Sequence, residues 1–353
     1  MISTFPKNSI AFPQPSNYNS SQREVIAKMS TKQRVLELFE KNRGSFISGE
    51  GVAKLLEVSR NAVWKSIKEL RREGYAITAV TNKGYCLAAD SDIVSAEGIS
   101  PFLSGSMAAE NIHIYKSLES TNKTAKEKAI SGAEHGTIII ADHQVSGRGR
   151  YNRSFFSPSG HGIYMSLILR PEQLSLSDPT AITALAAVCV CQAIEAVTEK
   201  TPQIKWVNDI LLDGKKVCGI LTEAVTDFES QSLQWIVLGI GINHSTPHTA
   251  LPAELQDIAA SLYPNGQPLT TRNRLIAGII NRLIFPEKPV QEQGMFAEYK
   301  KRLMTIGRKI TVLEGQSQYD AEALDIDSKG HLIIQKTDGN LHTLFSGEVS
   351  IRQ

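Results

Sequence analysis

Apolar residues at helical spacing are separated by short polar turns over residues 31–70, and this pattern predicts three short helices. Thr31 is placed to cap the first helix, and Ser48 and Ser59 are placed to cap the next two. The pattern then changes to short apolar runs on either side of residues 82–84, which are turn formers. The change predicts a β-hairpin directly after the third helix.

Two short helices joined by a tight turn, with basic residues along the second, form the helix-turn-helix pattern. Its second helix enters the DNA major groove, and the hairpin supplies the wing of a winged helix, with Lys83 at the tip near phosphate. The alternative is a small helical protein-interaction module, but the helices, turn and wing together favour DNA. The residues that we predict to contact DNA are Gly49, Ser59, Arg60, Asn61, Ala62, Trp64, Lys65, Lys68 and Lys83.

From about residue 112 apolar strands alternate with helical patterns, which predicts a larger α/β domain. We expect strands at 112–115, 136–142, 162–169, 217–224 and 235–243, and helices at 120–128, 179–198, 255–262 and 271–285. Ser177 or Asp178 would cap the long helix. Glycines inside the predicted strands, at Gly219, Gly239 and Gly241, indicate that another group approaches the backbone closely.

Beyond Gly307 the pattern consists of short strands separated by turn residues, which predicts a small β-barrel. The strands are expected at 309–313, 319–324, 332–335, 341–345 and 348–351. At the other end, residues 1–29 are rich in Ser, Asn, Pro and Gln and predict a disordered tail, although Met29 leaves an over-extended start as the alternative. The predicted domains are therefore 30–90, 91–303 and 304–353.

The composition adds limits to this picture. A net charge of +2 over 353 residues means that any nucleic-acid surface is a local patch. The four cysteines lack metal-ligand spacing, so we expect reduced, buried thiols in a cytoplasmic protein. We also expect no membrane span and no secretory signal.

One short segment, residues 147–153, holds three arginines and two glycines. From the segment alone, a solvated basic turn and a mobile loop that closes over an anionic ligand are both reasonable. Gln144 precedes it after a buried strand, and Lys205, Asn208, Asp209 and Lys216 lie at later strand ends, where ligands collect in such sheets.

These groups suit nucleotidyl transfer. Cationic side chains would neutralise the charge that builds up when a substrate carboxylate attacks the α-phosphate of ATP. The sequence offers no evident nucleophile paired with a base, and no Walker-type phosphate loop.

Several segments together resemble the family of bifunctional biotin–protein ligases and biotin-operon repressors. They are Gly147-Arg148-Gly149-Arg150 with Arg153 and Phe156-Ser157-Pro158, Lys205-Trp206-x-Asn208-Asp209, Lys215-Lys216-x-x-Gly219-Ile220-Leu221, Gly239-Ile240-Gly241-Ile242-Asn243 and Gly347-Glu348. The resemblance runs from about residue 31 to 352. It departs from the familiar pattern at Tyr151, Asn152, Phe155 and Val207.

The resemblance implies a winged helix-turn-helix, a central α/β domain of the biotin/lipoate-ligase type (class II synthetase-like) with a mixed sheet, and an SH3-like C-terminal β-barrel. It also implies adenylation of biotin by ATP and Mg²⁺, and transfer through biotinyl-5′-AMP to the biotin carboxyl carrier protein of acetyl-CoA carboxylase. The adenylate-bound homodimer would then bind the biotin operator as a repressor.

By position, the resemblance also assigns site residues. Implied biotin contacts are Ser120, Thr121, Asn122, Gln144, Arg148, Gly149, Arg150 and Lys216. Implied contacts to the adenylate and to ATP with Mg²⁺ are Arg148, Arg150, Arg153, Lys205, Asn208, Asp209 and Lys216, with Asp209 as the metal ligand. Three alternatives stay open: a lipoate–protein ligase, a repressor that has lost catalysis, and a ligase whose winged helix no longer represses.

Overall fold

The computed structural model describes residues 29–105, 111–173, 178–226, 233–266, 268, 270–286 and 292–352. These residues fall into two compact units, and the chain passes from the first to the second between Phe102 and Leu103. Apart from Met29, the predicted disordered tail lies outside the described residues.

The first unit is a winged helix. Its elements are α1 (Thr31–Lys41), α2 (Gly49–Leu56), α3 (Arg60–Arg72), β1 (Ile77–Val80), β2 (Gly84–Leu87) and α4 (Ala96–Ile99). Ser48 and Ser59 cap α2 and α3 as predicted, each accepting a hydrogen bond from a backbone N–H three residues on. The predicted cap of α1 at Thr31 is wrong by one residue. Ser30 is the cap because Gln33, three residues later, completes a capping box with it.

Residues 91–102 belong to the first unit, although the sequence pattern predicted that they belong to the central domain. Arg43 explains part of this. It forms a two-pronged ion pair with the buried carboxylate of Glu40 and also donates to the carbonyl of Ser91. Helix α4 packs against α1. These contacts tie the segment after the wing to the core of the winged helix.

The second unit contains a seven-stranded mixed sheet with strand order β3-β4-β5-β9-β8-β7-β6, in which only β3 and β4 are parallel. The strands are β3 (Ile112–Tyr115), β4 (Thr137–Ala141), β5 (Gly162–Leu169), β6 (Gln203–Lys205), β7 (Asp209–Leu212), β8 (Lys215–Thr226) and β9 (Leu233–Asn243). The helices are α5 (Thr121–Ile130), α6 (Pro179–Val197), α7 (Arg272–Ile284) and α8 (Glu292–Arg302).

Helices α5 and α6 cover opposite faces of this sheet. Neighbouring residues of a strand point to opposite faces, and here Thr222 of β8 contacts Thr183 of α6. The next residue, Glu223, contacts Asn122 and Lys126 of α5. The sheet therefore forms the middle layer, and the N-terminal end of α5 lies on one of its faces.

Two parts of the central domain differ from the sequence prediction. The expected helix at 255–262 is wrong, because the backbone at 258–260 hydrogen-bonds with Lys216 at the start of β8 and is drawn out of helical form. Helix α8 was missed. Its buried residues Met295, Phe296 and Tyr299 lie on one face, but the segment also carries a run of basic residues.

Helix α6 is long and apolar enough to cross a membrane by length and composition, with a mean hydropathy of 1.8. This differs from the expectation that the chain lacks such a run. Asp178 caps the helix, and 67% of the apolar window is buried within the fold. Its apolarity is therefore accounted for by a core position between the sheet and α7 and α8.

All five predicted C-terminal strands are present. They form one antiparallel sheet with order β13-β12-β11-β10-β14. The strands are β10 (Lys309–Glu314), β11 (Ser317–Ile326), β12 (Leu332–Lys336), β13 (Leu341–Leu344) and β14 (Glu348–Ile351).

Candidate functional sites

A group of amide and hydroxyl side chains lies where the start of α5 meets the sheet. We call it the amide–hydroxyl cluster; its members are Thr121, Asn122, Gln144, Ser157 and Ser166, and all five are buried. Gln144 Oε1 accepts from the backbone N–H of Thr121 at 2.8 Å, and Gln144 Nε2 donates to Ser157 Oγ at 2.9 Å. The Gln144 side chain is thus held at both ends by the protein.

Gly239 of β9 leaves the space that Asn122 occupies. A Cβ atom at Gly239 would overlap Asn122 Oδ1 and lie 2.8 Å from its Cγ. Asn122 fills that space and donates to Glu223 Oε2 at 2.8 Å and to the carbonyl of Leu221 at 3.3 Å. The predicted close approach at this strand glycine is therefore made by a side chain of the cluster.

The arginine segment forms a small hairpin beside this cluster. The N–H of Phe155 donates to the carbonyl of Gly147 at 2.8 Å, and that of Gly149 donates to the carbonyl of Arg153 at 2.7 Å. At its tip Tyr151 and Asn152 both have left-handed backbone angles, with φ of 54° and 58°. Such angles are common for Asn but costly for Tyr.

Four polar side chains meet at the start of β7 and β8, and we call them the charged cluster: Arg150, Asn208, Asp209 and Lys216. Arg150 Nη1 donates to Asn208 Oδ1 at 3.2 Å. Lys216 Nζ lies 2.7 Å from Asp209 Oδ1. That oxygen is buried, and the pair lacks the alignment of a hydrogen bond. The attraction is ionic, and the carboxylate keeps acceptor capacity for another group.

Phe155 lies between the two clusters. Cβ atoms at Gly241 and Gly219 would come 2.8 Å and 3.4 Å from its ring, and the one at Gly219 would also lie 3.1 Å from Lys216 Cε. The ring makes an edge-on contact with Tyr164. The glycines of β8 and β9 thus leave room for Phe155 and the Lys216 stem, as their positions within strands predicted.

The remaining predicted site residues lie around this centre. Ser120 precedes α5 and is buried. Lys205 is the ladder partner of Asp209, so the two side chains share a face of the hairpin. Arg148 is exposed, with Glu119 at 3.7 Å, and Arg153 Nη1 donates to Glu348 Oε1 of β14 at 2.7 Å. The structure therefore ties the arginine hairpin to the C-terminal sheet through Arg153.

The C-terminal sheet also supports the turn between β6 and β7. Trp206, which is buried in this turn, donates from Nε1 to the carbonyl of Gly330 at 3.0 Å. The hydroxyl of Tyr299 donates to the carbonyl of Val207 at 2.9 Å. The position of the charged cluster thus depends on contacts with α8 and with the C-terminal sheet.

The cysteines and metal-ligating side chains set limits on the chemistry. All four cysteines are buried free thiols, and burial raises the pKa of Cys189 and Cys191 to about 12. Among the described residues, His, Cys, Asp and Glu form no group of three that could hold a metal ion. A divalent ion here would need oxygens from a ligand beside those of Asp209, as Mg²⁺ commonly takes from phosphates.

Three side chains of this region were not predicted from the sequence: Ser157, Ser166 and Glu223. Ser157 belongs to the Phe156-Ser157-Pro158 motif, but the motif did not indicate a role for it. Ser166 is an isolated polar residue in an otherwise apolar strand, and Glu223 follows Thr222 within the mostly apolar stretch 217–225. A buried polar residue requires a partner, so that interruption is the signal that would have found them.

In the winged helix, α3 presents a polar face. Val63, Ile67 and Leu70 are buried, whereas Arg60, Asn61, Trp64, Lys65 and Lys68 are exposed. Trp64 is 51% exposed, with Lys68 Nζ 5.1 Å from its ring centre. Lys83 at the wing tip is also exposed, so the structure places most predicted DNA contacts on accessible surface.

Three predicted DNA contacts have structural partners as well. The Ser59 hydroxyl accepts from the N–H of Ala62, which is half-buried. Gly49 lies so close to Tyr85 of the wing that a Cβ atom would come 3.2 Å from the ring.

Models of known protein families match three successive segments of the chain. A helix-turn-helix domain model matches residues 31–86, and the biotin/lipoate A/B protein ligase family model matches residues 114–243. The biotin protein ligase C-terminal domain model matches residues 305–352. The three matches follow the order of the winged helix, the central sheet and the C-terminal sheet.

Similar proteins extend these matches over nearly the whole chain. The bifunctional ligase/repressor BirA of Bacillus subtilis (strain 168) is 35% identical over 331 residues, 92% of this chain and 99% of that protein. BirA of Escherichia coli (strain K12) is 30% identical over 88% of this chain and 94% of that protein. The biotin protein ligase of Aquifex aeolicus in complex with biotin and ATP superposes with a TM-score of 0.57 at 26% identity, covering 69% of this chain and 99% of that one. The chain therefore belongs to the family of bifunctional biotin ligases and repressors.

Proposed function

We propose that the protein joins biotin to a lysine of the biotin carboxyl carrier protein of acetyl-CoA carboxylase, through a biotinyl-5′-AMP intermediate. The observation that carries the proposal is the proximity of two chemically different clusters on either side of Phe155. The amide–hydroxyl cluster offers fixed, neutral hydrogen-bonding groups for a polar ring. The charged cluster offers arginine and lysine for a carboxylate and a phosphate.

In the first step, a biotin carboxylate oxygen attacks the α-phosphorus of ATP, and the bond to the β-phosphate bridging oxygen breaks to release pyrophosphate. Lys216 and Arg150 neutralise the charge that grows on the α-phosphate oxygens. The carboxylate of Asp209 fits Mg²⁺, because its buried Oδ1 lacks an aligned hydrogen bond. Mg²⁺ bound there would offset the charge of the departing phosphates.

In the second step, the carrier lysine amine attacks the carbonyl carbon of the mixed anhydride. The carbon–oxygen bond to AMP breaks, and the amine loses a proton as the amide forms. Until then the anhydride must be kept from water. The arginine hairpin is suited to cover it, since Arg148 and Arg150 lie on one hairpin held by Gly147, Gly149 and Arg153.

The winged helix would act as a repressor of the biotin operon. Exposed Arg60, Lys65 and Lys68 on α3 and Lys83 on the wing provide the cationic surface that phosphates require. We further propose that biotinyl-5′-AMP is the corepressor, that the adenylate-bound form is a homodimer, and that the protein is cytoplasmic, where its free thiols stay reduced.

ATP–pyrophosphate exchange tests the ligase proposal. We expect exchange that requires biotin, is not supported by lipoate, and falls about a hundredfold in Asp209→Asn. Lys205→Met removes a nearby cation but keeps the Asp209 carboxylate. Comparing it with Asp209→Asn therefore separates the loss of a nearby charge from the loss of the carboxylate. Exchange that requires lipoate would make the protein a lipoate ligase, and no exchange with either acid would favour a repressor without catalysis.

A gel shift on the biotin operator tests the repressor proposal. We expect a shift that strengthens with biotinyl-5′-AMP and weakens in Lys65→Ala, while pyrophosphate exchange by that variant stays at the wild-type rate. Normal exchange and carrier labelling without any shift would make the protein a ligase whose winged helix no longer represses.

A further inference from the structure

Glu223 lies on β8 behind Asn122, outside every site assigned above. Its side chain is only 26% exposed. One carboxylate oxygen accepts from Asn122 Nδ2 at 2.8 Å, and the other pairs with Lys126 Nζ. An ionised carboxylate can only accept, and so can the Leu221 carbonyl nearby. Asn122 must therefore turn its NH₂ group toward Glu223.

This orientation of Asn122 fixes the direction in which the Ser166 hydroxyl donates its proton. With its NH₂ group committed, Asn122 turns its carbonyl oxygen toward Ser166 Oγ, 2.6 Å away. A serine hydroxyl has one proton, and an amide oxygen has none to give, so Ser166 donates to Asn122. Ser166 Oγ also lies 2.8 Å from Thr121 Oγ1, and toward that neighbour it can offer only a lone pair.

Thr121 is thereby surrounded by acceptors on the protein side. Its second neighbour is Gln144 Oε1 at 3.1 Å. The orientation of Gln144 is fixed independently, because Ser157 donates to the carbonyl of Phe155 and so must accept from Gln144 Nε2. Wherever the Thr121 proton points, to Ser166 or to Gln144, it stays within the protein. The hydroxyl keeps only lone pairs for a ligand.

We infer that Glu223 is a positioning residue that makes Thr121 an obligatory acceptor, so that this end of the amide–hydroxyl cluster selects a ring N–H such as that of a cyclic urea. The inference rests on the proposed function of the cluster as the biotin site. Without the carboxylate, the weaker 3.3 Å bond to the Leu221 carbonyl still restrains the NH₂ group of Asn122, but the amide can rotate and donate to Ser166 instead. The Ser166 proton is then free to turn to Thr121, and Thr121 can present a donor instead. A charge that is separated from the ligand by three residues, Asn122, Ser166 and Thr121, thus sets which hydrogen-bonding group is accepted.

Biotin affinity, measured by isothermal titration calorimetry, separates this role from general support of the fold. Glu223→Leu removes the acceptor, and we expect the Kd for biotin to rise about tenfold, the effect of one hydrogen bond. Glu223→Gln keeps one acceptor oxygen, and in the double variant Glu223→Gln/Lys126→Met no ammonium competes with Asn122 for it. Lys126→Met alone removes only the ion-pair partner. The double variant and Lys126→Met should both stay within about twofold of wild type. The KM for ATP in pyrophosphate exchange should not change in any of them.

A double-mutant cycle with Thr121→Val tests whether Glu223 acts through Thr121. In that background Glu223→Leu should cause no further loss of biotin affinity. Equal losses in both backgrounds, or an unchanged Kd in Glu223→Leu alone, would overturn the inference while leaving the proposed function intact. A wild-type protein that binds no biotin would instead overturn the proposed function, and this inference with it.

Discussion

Gly239→Ala should disrupt the amide–hydroxyl cluster at Asn122. The new methyl group would overlap Asn122 Oδ1 and lie 2.8 Å from Cγ and 3.0 Å from Nδ2. Asn122 cannot simply rotate away, because Ser166, Leu221 and Glu223 all hold its amide. Either the side chain gives up these contacts or strand β9 shifts.

The cost can be estimated from the contacts that would be lost. The neutral hydrogen bond with Ser166 contributes about 1 kcal/mol, and the bond to the Glu223 carboxylate about 1.5–3 kcal/mol. The sum is about 3 kcal/mol, which is in the range for inserting a methyl group into a packed interior. We therefore expect the free energy of unfolding to fall by about 3 kcal/mol and biotin binding to weaken at least tenfold.

Urea unfolding followed by tryptophan fluorescence measures the first effect. In a Trp64→Phe background the signal comes from Trp206 and Trp235, which both lie in the second unit. Gly294→Ala is the matched control: it lies in α8 with no atom within 4 Å of the added methyl, so helix propensity should make it neutral or up to about 1 kcal/mol stabilising.

A double variant decides whether the Asn122 contact is the cause. Asn122→Ala removes the atoms that the methyl group meets, so adding it to Gly239→Ala should restore part of the lost stability without restoring biotin affinity. Wild-type stability in Gly239→Ala, or a double variant less stable than Gly239→Ala alone, would refute the reasoning.

Three further predictions concern other parts of the molecule. Trp206→Phe leaves the buried carbonyl of Gly330 without its donor and should lower the free energy of unfolding by about 1–3 kcal/mol in urea; a change below about 0.5 kcal/mol would contradict this. Burial opposes ionisation of Asp142, but hydrogen bonds from Ser159 and Arg272, with the Arg272 charge, outweigh it and hold its pKa below 3.8. Its stabilisation is therefore present above pH 4 and lost as the pH falls through the lowered pKa, so Asp142→Asn should be less stable at neutral pH and show a flatter acid limb in a pH series of melting temperatures. Lys65→Ala should reduce the slope of log affinity against log salt for operator DNA by about 1 in a fluorescence titration, whereas an unchanged slope would remove Lys65 from the phosphate contacts.

Local sequence rules were sufficient for most of the secondary structure. Ser48, Ser59 and Asp178 cap helices as predicted, since the capping rule needs only the residue and the apolar pattern after it. The same kind of rule failed at 255–262, where Leu255, Ile258 and Leu262 have helical spacing but the backbone pairs with Lys216. That pairing depends on a strand some forty residues earlier, which a local pattern does not contain.

The candidate sites were predictable to a similar extent. Strand glycines correctly indicated close approaches, but not that Asn122 and Phe155 make them. Arg150 and Asn208 were both predicted site residues, and only the fold brings their side chains to 3.2 Å. The sequence did not predict a role for Glu223 or Ser166, because their hydrogen-bonding partners come from elements that are distant in the chain. A polar residue in a strand shows that it needs a partner without showing which one.

The ion pair between Arg153 and Glu348 joins residues 195 positions apart. During translation at about 5–20 residues per second, the arginine hairpin emerges roughly 10–40 s before the strand that carries its carboxylate. The turn between β6 and β7 likewise lacks the hydrogen bond from Trp206 to the carbonyl of Gly330 until Gly330 has been synthesised. A nascent chain can therefore assemble the central sheet early, but it gains these two supports of its site only when the C-terminal sheet has been synthesised. Ribosome-bound chains should acquire enzymatic activity later than they acquire structure.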